Sequence, residues 1–198
     1  MEGNNDMNTT NIMIVGVGGQ GTLLASRILG SVTLQSGLDV KVSEVHGMSQ
    51  RGGSVVTYVK YGEKVSSPVI DKGEADYIVS FELLEAARWV PYLKIGGKLI
   101  TNTQQIDPMP VITGAAEYPG DLVEKMKVKG VDVLAFDALS PALQAGNAKA
   151  VNVVLMGVLS TMLGFDKSLW TDAVKALVPE KLQQLNLEAF ELGVKAAG

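Results

Sequence analysis

The strongest constraint on this chain is the abrupt change from apolar residues to glycine in residues 11–21, NIMIVGVGGQG. Ile12, Met13, Ile14 and Val15 form a short apolar run, and Gly16, Gly18 and Gly21 then carry a G-x-G-x-x-G spacing, with an additional Gly19 and with Gln20 inside it. Residues 22–37, TLLASRILGSVTLQSG, predict a helix with Leu23, Leu24, Ile28 and Val32 toward one face. Strand, glycine turn and helix is the setting in which this spacing acquires physical meaning. The first glycine permits the tight turn, the second lets backbone approach a pyrophosphate, and the third lets helix pack closely on strand. The helix amino end presents N–H groups and a positive dipole end to a phosphate. The same glycines also serve a first βα turn that binds nothing, so the spacing alone names no cofactor.

The rest of the chain extends this beginning into an α/β pattern. Strands are predicted over 38–45 (LDVKVSEV), 54–62 (SVVTYVKYG), 75–82 (ADYIVSFE), 97–103 (GKLITNT) and 131–138 (VDVLAFDA). Residues 63–70, EKVSSPVI, read as a short partner of the 54–62 strand, which would make a hairpin, or as an extended excursion. Helices are predicted over 83–93, 121–130, 148–164, 168–178 and from Pro179 onward, with residues 107–120 mostly irregular. Alternation of this kind implies a Rossmann-like, mostly parallel sheet with helices on both faces, here followed by a helical C-terminal tail. Residues 1–10 are expected to be a flexible N-terminus and 11–198 a single domain. Ligands of such sheets bind beyond the strand carboxyl ends, where residues 16–21, 44–54, 80–82 and 101–105 are expected to meet.

Composition narrows the chemistry. A net charge of -4 leaves no electrostatic footprint for nucleic acid. There is no cysteine, which excludes disulfides and any iron–sulfur cluster held by this chain's own thiolates. The polar start, MEGNNDMNTT, has no signal-peptide h-region, and the apolar stretch 151–163 is too short to span a bilayer. No membrane association and a cytoplasmic location are therefore expected.

Glu44 lies about 20 residues beyond the glycine turn, where an acidic residue would hold an adenosine ribose, and it motivates a stand-alone NAD(P)-dependent oxidoreductase as one reading. His46, the only histidine, is the possible acid–base group, but no nucleophile pairs with it and no ligand cluster surrounds it, so no metal is expected. The loop Ser49, Gln50, Arg51, Gly52, Gly53 resembles a second anion site, in which glycine N–H groups converge beside a guanidinium fork. Its bland counterpart is a solvated hinge between strands. Asn152 is expected to be a buried hydrogen-bonding residue, and Trp89 and Trp170 to be core. On residues alone this is a phosphate-capable module without a self-sufficient catalytic set. A non-catalytic partner domain is a third reading.

GVGGQG, SEVHGMSQRGGSV and ADYIVSFELLEAARW, in that order, closely resemble the gamma-type domain of the 2-oxoacid (pyruvate):ferredoxin oxidoreductase family. The pattern is most similar to the branch acting on indolepyruvate, in which such a domain is the small beta subunit, and the similarity runs from about residue 11 to about residue 164. The resemblance implies a supporting subunit of a heteromeric enzyme, inactive alone. Thiamine diphosphate, Mg and iron–sulfur clusters would sit on a large (alpha) partner subunit, coenzyme A would be co-substrate, and ferredoxin would take the electrons. It further implies that Gly16, Gly18, Gly19, Gln20 and Gly21 face a phosphate-bearing ligand. Glu44, His46, Ser49, Gln50, Arg51, Gly52 and Gly53 would form the loop approaching coenzyme A or the partner's thiamine site.

Overall fold

The computed structural model describes residues 9–46 and 53–198. Six strands form one sheet: β1 (Thr10–Val17), β2 (Asp39–His46), β3 (Ser54–Gly62), β4 (Ala75–Ser80), β5 (Leu93–Asn102) and β6 (Asp132–Phe136), in the order β2-β3-β1-β4-β5-β6. β1, β4, β5 and β6 pair in parallel, whereas β3 runs antiparallel to both β1 and β2. The mostly parallel sheet expected from the alternation is therefore present, with one reversed strand inside it.

That strand sits elsewhere than the hairpin suggested for residues 54–70. β3 pairs backward with β2, from Ser43↔Tyr58 to Asp39↔Gly62, and residues 63–74 hold no strand. Those residues are the extended excursion, tied down where the Val65 N–H donates to Asp39 Oδ2 at 2.9 Å and where Ile70 is buried. The physical reason is burial on both sides. Val55, Val56, Thr57, Val59 and Tyr61 of β3 are all buried, which needs a central strand, and the polar 63–68 segment cannot supply the outer neighbour.

Each face of the sheet carries helices. On one face, Ile12, Ile14, Val59, Val79 and Ile100 pack against α1 (Thr22–Gln35), α5 (Leu139–Gln144), α6 (Val151–Leu163), α7 (Lys167–Leu177) and α8 (Glu180–Ala196). On the other, Met13, Val15, Ile78 and Leu99 pack against α2 (Leu83–Trp89) and α4 (Leu122–Val128). A one-turn helix, α3 (Met109–Ile112), interrupts the irregular stretch after β5. α1 packs through Ala25, Ile28, Leu29 and Val32, whereas Leu23, expected on that face, is 46% exposed. The helical surface advances 100° per residue, and Leu23 falls beside Arg27 rather than beside Ile28.

α6 is buried from Val151 through Leu159 and is the hub of its face. It crosses α8 at two glycines: a β-carbon on Gly157 would strike the Phe190 carbonyl oxygen, and one on Gly193 the Val154 carbonyl oxygen. Trp170 is fully buried and stacks near Phe190 with ring centroids 6.0 Å apart, as expected for core. Trp89 is half-buried, packing against the opposite core while its Nε1 donates to Glu85 Oε2 at 3.2 Å.

Candidate functional site

The glycine turn is built around Gln20. Its Oε1 accepts the Val17 N–H at 2.8 Å and its Nε2 donates to the Phe81 carbonyl at 3.1 Å, stitching the end of β1 to the end of β4. A β-carbon on Gly16 would stand 2.8 Å from that Oε1, so glycine at this place makes room for the glutamine. The Gly18 N–H donates to the Gly53 carbonyl at 2.9 Å, and the Gln20 N–H to Val17 O at 3.2 Å. Gly19 (φ 100°) and Gly21 (φ 87°) occupy the left-handed region that glycine enters without steric cost. Gly19 is exposed, while Gly21 lies under α6, where Asn152 Nδ2 donates to its carbonyl at 3.3 Å. Asn152 is thus the buried hydrogen-bonding residue expected from its apolar surroundings.

Beyond the carboxyl ends of β1, β5 and β6 opens a cleft of about 500 Å³. The glycine turn (Gly19 to Gly21) forms one wall, and Gln104 and Ile106 after β5 form the next. Asn147 and Lys149, on the short link into α6, with Leu182 and Asn186 of α8, complete it. Aliphatic side chains make up most of its lining, amide side chains supply most of its polar groups, and Lys149 is the charged residue of the lining among the described residues. Such a surface suits an elongated ligand with an apolar portion and an anionic end near the exposed Lys149. Amides and one ammonium bind and orient, and proton transfer near neutral pH needs other groups.

Three of the four segments expected to converge do so in full view. Gln20 links them, its Nε2 donating to Phe81 O at 3.1 Å and to Gln104 Oε1 at 3.4 Å. Asn102 ties the same end of β5 to Phe81 O at 3.2 Å through its Nδ2 and to the Ala138 N–H at 3.1 Å through its Oδ1. The fourth segment is described only in part. Gly53 meets Gly18 as above, and the Ser54 hydroxyl donates to Glu85. Ser49, Gln50, Arg51, Gly52 and the side chain of His46 lie outside the described residues. Glu44 faces Thr57, whose hydroxyl donates to Glu44 Oε2 at 3.3 Å, and Thr57 in turn pairs with Ile14. Glu44 is therefore level with the middle of β1 and two strand spacings, roughly 10 Å, away from it.

Sequence reasoning did not single out Asn147, Lys149 or Asn186, which carry no motif. Their place beside the glycine turn depends on α6 packing against α1, a contact between segments more than a hundred residues apart. Glu82 closes the 80–82 segment expected at the ligand end, although nothing in the sequence assigns it a role of its own; it is buried at 1% exposure at the start of α2. Its Oε2 accepts the Glu85 N–H at 2.8 Å, and its Oε1 accepts both the Ile106 N–H at 3.1 Å and the Tyr118 hydroxyl at 2.6 Å. Burial, and then the Glu82 carboxylate beside it, push the Tyr118 phenol well above its ordinary pKa, so it stays a donor throughout the working pH range. Among the described residues, no group of three or more His, Cys, Asp or Glu could hold a metal, and no helix is long and apolar enough to cross a membrane.

A reversed strand beside β1, a self-bonded glycine turn and a cleft roofed by three C-terminal helices together define an α/β domain distinct from the ordinary dinucleotide-binding one. Residues 11–196 match the family described as pyruvate ferredoxin/flavodoxin oxidoreductase, and the chain belongs to that family. It is 47% identical over 197 residues to the indolepyruvate oxidoreductase subunit IorB of Thermococcus kodakarensis, covering 96% of this chain and 97% of the relative. The corresponding subunit of Pyrococcus horikoshii is 45% identical over the same length and coverage. The fold matches the keto/oxoacid ferredoxin oxidoreductase gamma subunit from Geobacter sulfurreducens with a TM-score of 0.71, over 95% of this chain and 98% of that one at 24% identity.

Proposed function

We infer that this chain is the small, beta subunit of a heteromeric indolepyruvate ferredoxin oxidoreductase. In this reading an aryl pyruvate is oxidatively decarboxylated, carbon dioxide leaves, the acyl group passes to the thiol of coenzyme A, and the electron pair goes to ferredoxin. Thiamine diphosphate with Mg, on a large alpha subunit, would supply the bond-breaking chemistry, and iron–sulfur clusters there would carry the electrons, since this chain has no cysteine to ligate a cluster. Its own contribution is to hold coenzyme A. The aliphatic floor of the cleft suits the pantetheine arm and Lys149 suits a phosphate, while the glycine turn forms the wall beside them. The observation that carries the reading is near full-length identity to indolepyruvate oxidoreductase subunits, in a chain whose cleft is lined by binding groups.

The dehydrogenase alternative finds less support. A dinucleotide fold places the acid-bearing strand next to β1, whereas β3 intervenes here, and the N–H groups of Val17, Gly18 and Gln20 are already donated internally. The test is an anaerobic assay of this chain co-expressed with its thiamine-binding partner, following indolepyruvate-dependent viologen reduction with coenzyme A. Activity from the pair and from neither chain alone is expected, with Lys149→Ala raising the KM for coenzyme A about tenfold at unchanged kcat. A chain that fails to associate with the partner and binds NADH by itself would overturn the proposal.

A further inference from the structure

The residues that follow β5 form one wall of the cleft, and little of their own packing holds them there. Between Thr103 and Gly120 no side chain is buried, and Met109 and Ile112 are 66% and 65% exposed. Such a stretch cannot rely on apolar burial for its position. It is held by hydrogen bonds instead: the Thr103 N–H donates to Phe136 O at 3.0 Å, Gln104 Oε1 accepts from Gln20 Nε2 and Asn102 Nδ2 at 3.4 Å each, and the rest of the grip comes from the β4–α2 turn. The Leu83 N–H donates to the Gln104 carbonyl at 2.9 Å, and two residues on, the Ile106 N–H returns to the Glu82 carboxylate. Fourteen positions after Gln104, Tyr118 brings the far end of the excursion to that same oxygen. A single buried carboxylate thus grips the excursion at both ends, while its other oxygen caps α2 through Glu85.

From this arrangement we propose that Glu82 is a positioning residue: it latches residues 106–118 and so sets where Ile106 stands in the cleft, beside a Gln104 held separately by Gln20 and Asn102. The carboxylate suits the task because two acceptor oxygens can take three donors without a competing hydrogen. Glutamine has almost the same shape but only one acceptor oxygen. In Glu82→Gln, that oxygen can keep the Glu85 cap, and the amide nitrogen then faces the Ile106 N–H, donor against donor. Tyr118 can turn to accept from the new amide, so the variant loosens the cleft side of the latch and spares the helix cap. Tyr118→Phe removes only the outer grip. The functional half of the inference rests on the coenzyme A reading above, whereas the mechanical half does not.

Amide hydrogen exchange on the isolated chain tests the mechanical half. The Ile106 amide is expected to exchange at least about tenfold faster in Glu82→Gln, and residues 108–118 faster in Tyr118→Phe, with α1 and α6 unchanged in both. Unchanged exchange at Ile106 in Glu82→Gln would overturn the latch. Faster exchange everywhere would overturn it too, because Glu82 would then be a general stability residue. The functional half is read in the co-expressed pair as a rise of about tenfold in the KM for coenzyme A with kcat held. A fall in kcat at constant KM would overturn positioning of the cleft. A wild-type pair with no affinity for coenzyme A would sink the coenzyme reading itself, and the exchange data would still decide whether Glu82 is the latch.

Discussion

Gly21 combines a left-handed backbone, φ 87°, with an Asn152 amide nitrogen 2.5 Å from where a β-carbon would stand. Alanine there meets both penalties, and Gly21→Ala is expected to lower stability by about 1–3 kcal/mol in urea titration. Combined with Asn152→Ala, the steric share should vanish and the backbone share remain, so the double variant loses less than the sum of the single ones. Asp39 contributes to the pH dependence. The hydrogen bond from Lys41, at 2.7 Å, and then the Val65 N–H hold its carboxyl below the usual carboxylate range. A depressed pKa means that its stabilisation is fully present above the unfolded-state value of about 3.9 and is lost as pH falls through the lower folded value. Asp39→Asn should therefore lower the urea midpoint at pH 7, and the gap from the parent should close as both are titrated toward pH 3.

At the scale of elements, the α6–α8 crossing depends on two glycines that let backbone touch backbone. Gly193→Ala would drive a methyl group into the Val154 carbonyl, which neither helix can yield without separating. A loss of about 1–3 kcal/mol, or failure to fold, is expected from the thermal midpoint, whereas Gly198→Ala, in open space, should be silent. Which elements form was readable from residue order, because period and punctuation are local. SVVTYVKYG matches β3 end to end, and the 121–130 segment contains α4. What they pair with was not. β3 is flanked by polar sequence on both sides, and only the demand for burial on two faces, a property of the whole sheet, chooses β2. α5 escaped notice because six residues with Pro141 among them show no period, and its first N–H groups are satisfied by Asp137 from outside the helix. The turn glycines could be read, but not their purpose: Gly16 makes room for a glutamine, which no spacing rule records.

For the whole molecule, the cleft is a product of distant parts. One wall comes from the first turn of the chain, the next from the β5 excursion, and the roof from helices that begin after residue 147. This is why motif reading located one wall and overlooked the lysine opposite. The order in which these parts leave the ribosome has a consequence. Ile12, Ile14, Val59, Val79 and Ile100 are all synthesised before the helices that cover much of their face, α6, α7 and α8. A growing chain therefore carries a water-exposed apolar sheet surface until the residues from about 150 onward emerge, and that interval is when chaperone capture or aggregation competes with folding. These three helices thus close the sheet face after all six strands have been made, and the cleft comes into being only when they arrive.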